Sequence, residues 1–196
     1  MRPKDCAAEA DEAKSQFAHQ YGDHITLLNA YLAYRQNSSS KEWCYDNFLN
    51  YRSLQAADNI REQLERILKK LDLPLVSVGL SDPSYYINIT KCLSAGLFMH
   101  VAHLQKQGFY LTVKDQQVVS IHPSSVIDSK PPWVFFQEFV LTSRNYVRTV
   151  SIAQLEWLIE LAPHYYDLEN YPDGETKAEL EKMYRRLLNE KKGKKT

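Results

Sequence analysis

Residues 134–150 read Val-Phe-Phe-Gln-Glu-Phe-Val-Leu-Thr-Ser-Arg-Asn-Tyr-Val-Arg-Thr-Val, and the reading of this stretch decides the fold. Its β-branched and aromatic residues predict two strands joined at a tight Ser143-Arg144-Asn145 turn. Before the turn, Phe135, Phe139 and Leu141 share one parity, and Val134, Phe136 and Val140 share the other. Apolar residues on both faces predict a strand buried on both sides, as in a small barrel. The turn carries a cation and an amide, with Tyr146 and Arg148 close behind. A rigid β-scaffold offering cations, an amide and an aromatic suits single-stranded nucleic acid. A polar hairpin tip that only keeps the turn soluble accounts for the same residues.

Working outward, the period changes from helical to alternating at Gly108. Phe109–Lys114 and Gln117–Ile121 read as strands joined at Asp115-Gln116. His122-Pro123-Ser124-Ser125 breaks or bends the chain, and Pro131-Pro132 precedes the opening hairpin. Four or five short antiparallel strands in about 50 residues fit a Greek-key barrel of the OB type. Ser151-x-x-Gln154 matches a capping box for a short helix through Trp157 and Ile159, stopped at Pro163. After Asn170–Gly174, Leu180, Met183, Tyr184, Leu187 and Leu188 mark a last helix. A basic Lys191–Lys195 tail, expected to be disordered, closes the chain.

Before residue 105 the pattern is helical. Asp23 is the expected N-cap of a helix over His24–Gln36. A break at Ser38–Ser40 and a short helix over Trp43–Leu49 follow. Ser53 is the expected cap of a helix to about Lys70, whose Ile60, Leu64, Ile67, Leu68 and Leu71 share one stripe. Asp82-Pro83 opens a predicted long helix to Leu104, with Ile89, Leu93, Leu97, Val101 and Leu104 on one face. The expected architecture is α+β. An all-α helical bundle (1–104) precedes a small antiparallel Greek-key β-barrel, an OB-fold (105–170), then a C-terminal helix and basic tail (171–196).

The chain has 196 residues with 24 basic and 24 acidic side chains, so a strongly basic nucleic-acid footprint is absent. Residues 105–170 hold five basic and seven acidic side chains, so any nucleic-acid contact there must be local. No apolar run reaches membrane-span length, and a soluble protein without membrane contact is expected. Cys6, Cys44 and Cys92 are widely spaced and form no CxxC, which suits buried thiols in a reducing compartment.

Catalytic signatures fail. There is no G-x-x-x-x-G-K-[ST] loop and no G-x-S-x-G elbow. Asp11-Glu12-Ala13-Lys14 superficially resembles an ATPase acidic motif, but it lies in an alanine-rich helical context and reads as a solvated face. His100-x-x-His103 lacks a further ligand at metal spacing and reads as a structural pair. Tyr85-Tyr86 and Tyr165-Tyr166 either stack bases or seal a core. Arg52 and Arg61, away from the leucine stripe, either contact phosphate or stay solvated, with Asp58 a partner for either.

Several segments together resemble the region C-terminal to the motor of DEAH-box RNA helicases. They include Gly22-Asp23-His24-Ile25-Thr26-Leu27-Leu28-Asn29, Asn50-Tyr51-Arg52-Ser53-Leu54, Ala57-Asp58-Asn59-Ile60-Arg61, Ile121-His122-Pro123-Ser124, Glu138–Ser143 and Pro163-His164-Tyr165-Tyr166. The wording is similar to the member that disassembles spliceosomes and acts in ribosome biogenesis. The resemblance implies a non-catalytic accessory region, a ratchet-like bundle plus OB-fold, forming one wall of a single-stranded RNA channel. It places ATP, magnesium, the two motor domains and the winged helix in a parent chain, with no cofactor in the present residues. Glycine-patch activators dock mainly on those other domains. A nuclear location, nucleoplasm and nucleolus, with the cytoplasm second, follows from the same resemblance. The expected RNA contacts are Lys114, Arg144, Asn145, Tyr146 and Arg148 on the barrel, and Arg52 and Arg61 on the bundle. A protein-interaction module, docking a partner or the motor, is the alternative, and the balanced charge favours it.

Overall fold

The computed structural model describes residues 4–142 and 144–193, and the chain divides into two compact units. One holds the chain up to His19 together with Ile25–Tyr85. The other holds Gln20–His24 and the chain from Tyr86 onward.

The first unit is helical. After a 3-10 turn at Lys4–Cys6 come α1 (Ala7–Ser15), α2 (Asp23–Gln36), α3 (Lys41–Asp46) and α4 (Tyr51–Lys70). Ser38 and Ser39 take left-handed φ of 55° and 53° and turn the chain after α2. Ser40 then caps α3 by accepting from the Trp43 N–H at 3.2 Å. Its core is Ala10, Phe17, Ile25, Ala30, Tyr34 and Cys44. Phe17 meets Trp43 edge to face, and Tyr34 meets Tyr51 in the same way.

Two expectations change here, and one stripe is placed. Asn50, not Ser53, caps α4: its Oδ1 accepts from the Ser53 N–H at 3.2 Å. Asp58 pairs with neither Arg52 nor Arg61. It accepts from the Tyr31 hydroxyl at 2.5 Å and from the Arg35 guanidinium at 2.7 Å, so i,i+3 spacing lost to an inter-helix partner. The α4 stripe is not core: Ile60 is 55% exposed and Leu71 is 63% exposed.

The predicted long helix ends early. α5 spans Tyr85–Gly96, and Val101–Leu104 form a strand, β1. His100 therefore precedes a strand and His103 lies on one, so the pair does not share a helix face. The leucine spacing was helical through Leu97, but backbone pairing of Val101–His103 with Trp133–Phe135 decides the rest.

β1 joins β2 (Tyr110–Thr112), β3 (Val118–Ile121), β4 (Trp133–Leu141) and β5 (Asn145–Ile152) in a closed barrel of order β1-β2-β3-β5-β4. The pairs are antiparallel except β3 and β5, which run parallel and close the barrel. The expected OB barrel is therefore present, antiparallel at every pair but this one. Strand alternation sorts side chains into two layers. Ala102, Tyr110, Val119, Val134, Phe136, Val147 and Val150 fill the barrel. Val101, Trp133 and Phe135 point the other way, beneath α6 (Leu155–Leu161) and α7 (Glu175–Gly193). Leu158, Ile159, Tyr166 and Leu180 complete this outer layer. α7 runs to Gly193, so the first part of the expected basic tail is helical; residues 194–196 lie outside the described residues.

Ser151 is a β5 residue rather than a cap. Its Oγ accepts from the His24 N–H at 3.2 Å and lies 2.9 Å from His24 Nδ1. Gln154 occupies the N-cap of α6 without a side-chain bond. The S-x-x-Q pattern was matched by chance in a strand that runs into a helix.

Candidate nucleic-acid interface

The β4–β5 hairpin follows the expected alternation only for half its length. Trp133–Phe136 are buried on both faces, whereas Phe139 is 39% exposed and Leu141 is 74% exposed. Phe139 is therefore not the fully buried core residue its parity predicted. On β5, Val147 and Val150 both point into the barrel although three residues apart. Thr149 between them takes a left-handed φ of 54° and turns the facing of the strand locally, while the β4–β5 register stays unbroken on either side of it (Phe136 with Val150, Glu138 with Arg148). Tyr146 and Arg148, flanking buried Val147, consequently face outward on the same side.

Parallel pairing sets Ser120 beside Tyr146 and Ile121 beside Val147. The outward face of β2, β3 and β5 thus offers Leu111, Val118, Ser120, Tyr146 and Arg148. His122 follows β3, and its ring meets Tyr146 edge to face at 5.5 Å. Its Nδ1 accepts from the Ser124 N–H at 3.1 Å, with the Ser124 hydroxyl 2.7 Å away.

The same pairing brings two turns together at one end of the barrel. Asn145 Nδ2 donates to the Val118 carbonyl at 3.4 Å, where the β2–β3 turn enters β3. Lys114 sits in that turn, and its ammonium lies 4.6 Å above the Tyr165 ring centre. Burial, and secondarily Asp115, push the Tyr165 phenol above its usual range. Arg144 stands at the tip of the β4–β5 turn. Thr142 N–H and Oγ donate to its carbonyl, at 3.1 and 2.9 Å, and fix the backbone there. Its guanidinium makes no hydrogen bond or ion pair among the described residues. Ser143, the turn's first expected residue, lies outside them.

Arg148 differs from Arg144 because it is ion-paired with Glu138, its cross-strand neighbour. Both side chains are about half exposed, so the pair contributes little stability, on the order of 0–1 kcal/mol.

Five of the expected contact residues, Lys114, Arg144, Asn145, Tyr146 and Arg148, therefore lie on one end and one face of the barrel. Arg52 and Arg61 are exposed on α4 in the other unit. The sequence reading missed His122, Ser120 and Glu138 as neighbours of this face. Parallel pairing of β3 with β5 places Ser120 and His122 there, and no local pattern announces it; Glu138 arrives through the antiparallel β4–β5 register, opposite Arg148.

Of the other aromatic and histidine candidates, Tyr166 and His103 are core residues. Tyr166 is buried and donates to the Phe98 carbonyl at 2.7 Å. His103 is buried, stacks on Trp133 at 4.3 Å and lies 3.1 Å from the Thr176 hydroxyl. His100 stacks on Phe136. No cluster of three metal-ligating side chains occurs among the described residues. No helix among them is long and apolar enough to cross a membrane.

A closed barrel of five strands in the order β1-β2-β3-β5-β4, with a helix following β5, is an OB-type barrel. Residues 89–165 match a family model described as an oligonucleotide/oligosaccharide-binding (OB) fold, a domain typical of the C-terminal region of helicases. The match begins in α5, covers all five strands and α6, and ends at Tyr165.

Proposed function

We propose that this chain is the RNA-channel accessory region of an ATP-dependent DEAH-box RNA helicase, non-catalytic in itself. The barrel's β2–β3–β5 face and its β4–β5 turn hold single-stranded RNA. The observation that carries this reading is the unpaired Arg144 guanidinium, set beside Asn145, Tyr146 and the Lys114 turn in an OB barrel. Phosphate contacts dominate, because the cations lie on turns, and they stay few, because residues 105–170 carry five basic against seven acidic side chains.

The finer assignments rest on the sequence resemblance. They are a parent acting in pre-mRNA splicing, spliceosome disassembly and ribosome biogenesis, in the nucleoplasm and nucleolus and secondarily in the cytoplasm. ATP and magnesium belong to motor domains of that parent, which with its winged helix and glycine-patch activators are the protein partners. Arg52 and Arg61 add phosphate contacts from the helical unit.

Fluorescence anisotropy with labelled single-stranded RNA tests this. Weak binding is expected, falling as salt rises with a slope of about 0.7 log units per phosphate contacted. Arg144→Ala with Lys114→Ala should lower both affinity and slope; an unchanged affinity overturns the site.

The exposed α4 stripe favours a second reading, a protein-docking module. Under that reading RNA binding is absent, and the isolated chain captures the motor domains instead.

A further inference from the structure

We propose that Tyr146 and His122 form a seat for one nucleobase of the RNA strand, with Arg148 receiving the adjoining phosphate and Glu138 acting as the anion that this phosphate displaces. The proposal rests on the RNA reading above and deepens it.

Four observations converge. The two rings meet at 5.5 Å and 77°, so they form a corner with one ring face along each side. A flat base fits such a corner by stacking on one ring and meeting the edge of the other. The His122 ring is held in place by Ser124, whose N–H donates to Nδ1. The neutral ring therefore carries its hydrogen on Nε2, a donor without a partner among the described residues and free to bond a base carbonyl. Arg148 lies two residues from Tyr146 on the same outward face, about 6.6 Å along the strand. A base on Tyr146 thus leaves its phosphate near the guanidinium.

Glu138 gives the seat its selectivity. It already holds Arg148 across the strand pair. A lone small anion must compete with that carboxylate, whereas a strand anchored by stacking and by Arg144 competes intramolecularly. The Glu138 contact therefore disfavours free phosphate more than polynucleotide.

The test is titration of a short single-stranded RNA carrying 2-aminopurine, read by fluorescence quenching and by anisotropy. Wild type and Tyr146→Phe should quench. Tyr146→Leu and His122→Ala should lose quenching and bind about fivefold or more weakly. RNA of the same length with abasic sites should bind wild type and Tyr146→Leu equally. Glu138→Gln should bind more tightly than wild type. His122→Ala lies outside the strands and keeps the test informative should Tyr146→Leu fail to fold. Unchanged quenching and affinity in Tyr146→Leu and His122→Ala overturn the seat. If Arg144→Ala weakens binding while those variants do not, RNA binding stands and the seat alone is lost. If wild type binds no RNA, both fall.

Discussion

The Asp23 carboxylate accepts a 2.7 Å hydrogen bond from the Val150 backbone N–H, fastening Gln20–His24 to the last barrel strand. Its other oxygen accepts from the Val126 N–H at 2.9 Å and the Ser125 hydroxyl at 3.0 Å. One buried side chain thus satisfies donors from β5 and from the β3–β4 connection. The preceding residue explains how the chain comes so close. Gly22 has φ of 110°, and a Cβ there would lie 2.5 Å from the Val150 carbonyl oxygen.

Asp23→Ala should therefore destabilise the barrel unit by about 2–4 kcal/mol, since it strands buried N–H groups and removes charge-assisted bonds. Gly22→Ala should be at least as damaging, because the backbone must both shift and leave the left-handed region. Urea unfolding in a Trp43→Phe background measures this. The remaining tryptophans, Trp133 and Trp157, both belong to the barrel unit.

Leu64 and Leu158 look equally apolar in the sequence but occupy opposite environments. Leu64 is on the exposed α4 stripe and Leu158, on α6, is fully buried. Leu158→Ala should cost about 2–5 kcal/mol. Leu64→Gln should change stability by roughly 0.5 kcal/mol or less. Paired urea titrations decide it: a large loss at Leu64 means that the α4 stripe is covered in solution.

That contrast also shows which features were legible in the sequence. Strands β2 to β5 followed from alternation and turn residues, because period-two patterning and β-branched residues leave few alternatives. β1 did not, since Leu93, Leu97, Val101 and Leu104 keep helical spacing across the end of α5. Only pairing with Trp133–Phe135 reveals the strand. The α4 stripe predicted a helix correctly, but amphipathicity does not say what covers it. At the candidate site, Arg144 and Tyr146 were legible as hairpin residues. Their grouping with Lys114 and His122 was not, because it depends on strand order and on the parallel pairing of β3 with β5.

Burial makes His103 a source of acid sensitivity at the start of α7. Desolvation lowers its pKa below the ordinary 6.5, against the opposing pull of Glu179 and Glu175. Below pH 6.5 the unfolded chain therefore binds a proton that the folded chain refuses. Stability is present above pH 6.5 and is lost as pH falls towards the folded pKa. His24, also lowered by burial, contributes in the same window. Amide hydrogen exchange should show α7 opening more readily at pH 5.5 than at pH 7, after correction for intrinsic rates. His103→Gln should reduce the difference, and an undiminished difference would place the sensitivity elsewhere.

Tyr166 and Tyr171 sit in one apolar cluster, yet only one hydroxyl is satisfied. Tyr166 donates to the Phe98 carbonyl at 2.7 Å, whereas the buried Tyr171 hydroxyl has no partner among the described residues. Tyr166→Phe should cost about 1 kcal/mol, and Tyr171→Phe should be neutral or stabilising by about 1 kcal/mol. Burial raises the pKa of both, and pushes Tyr110 in the barrel interior up to about 12. Unfolded tyrosines ionise near pH 10. Above that pH the unfolded chain releases protons that the folded chain keeps, so stability is full below pH 10 and falls as pH rises towards 12. Alkaline unfolding followed by phenolate absorbance should show the buried tyrosines ionising together with loss of the fold. Tyr171→Phe should flatten that pH dependence without a penalty at neutral pH, whereas a loss of stability at neutral pH would mean that its hydroxyl is bonded in solution.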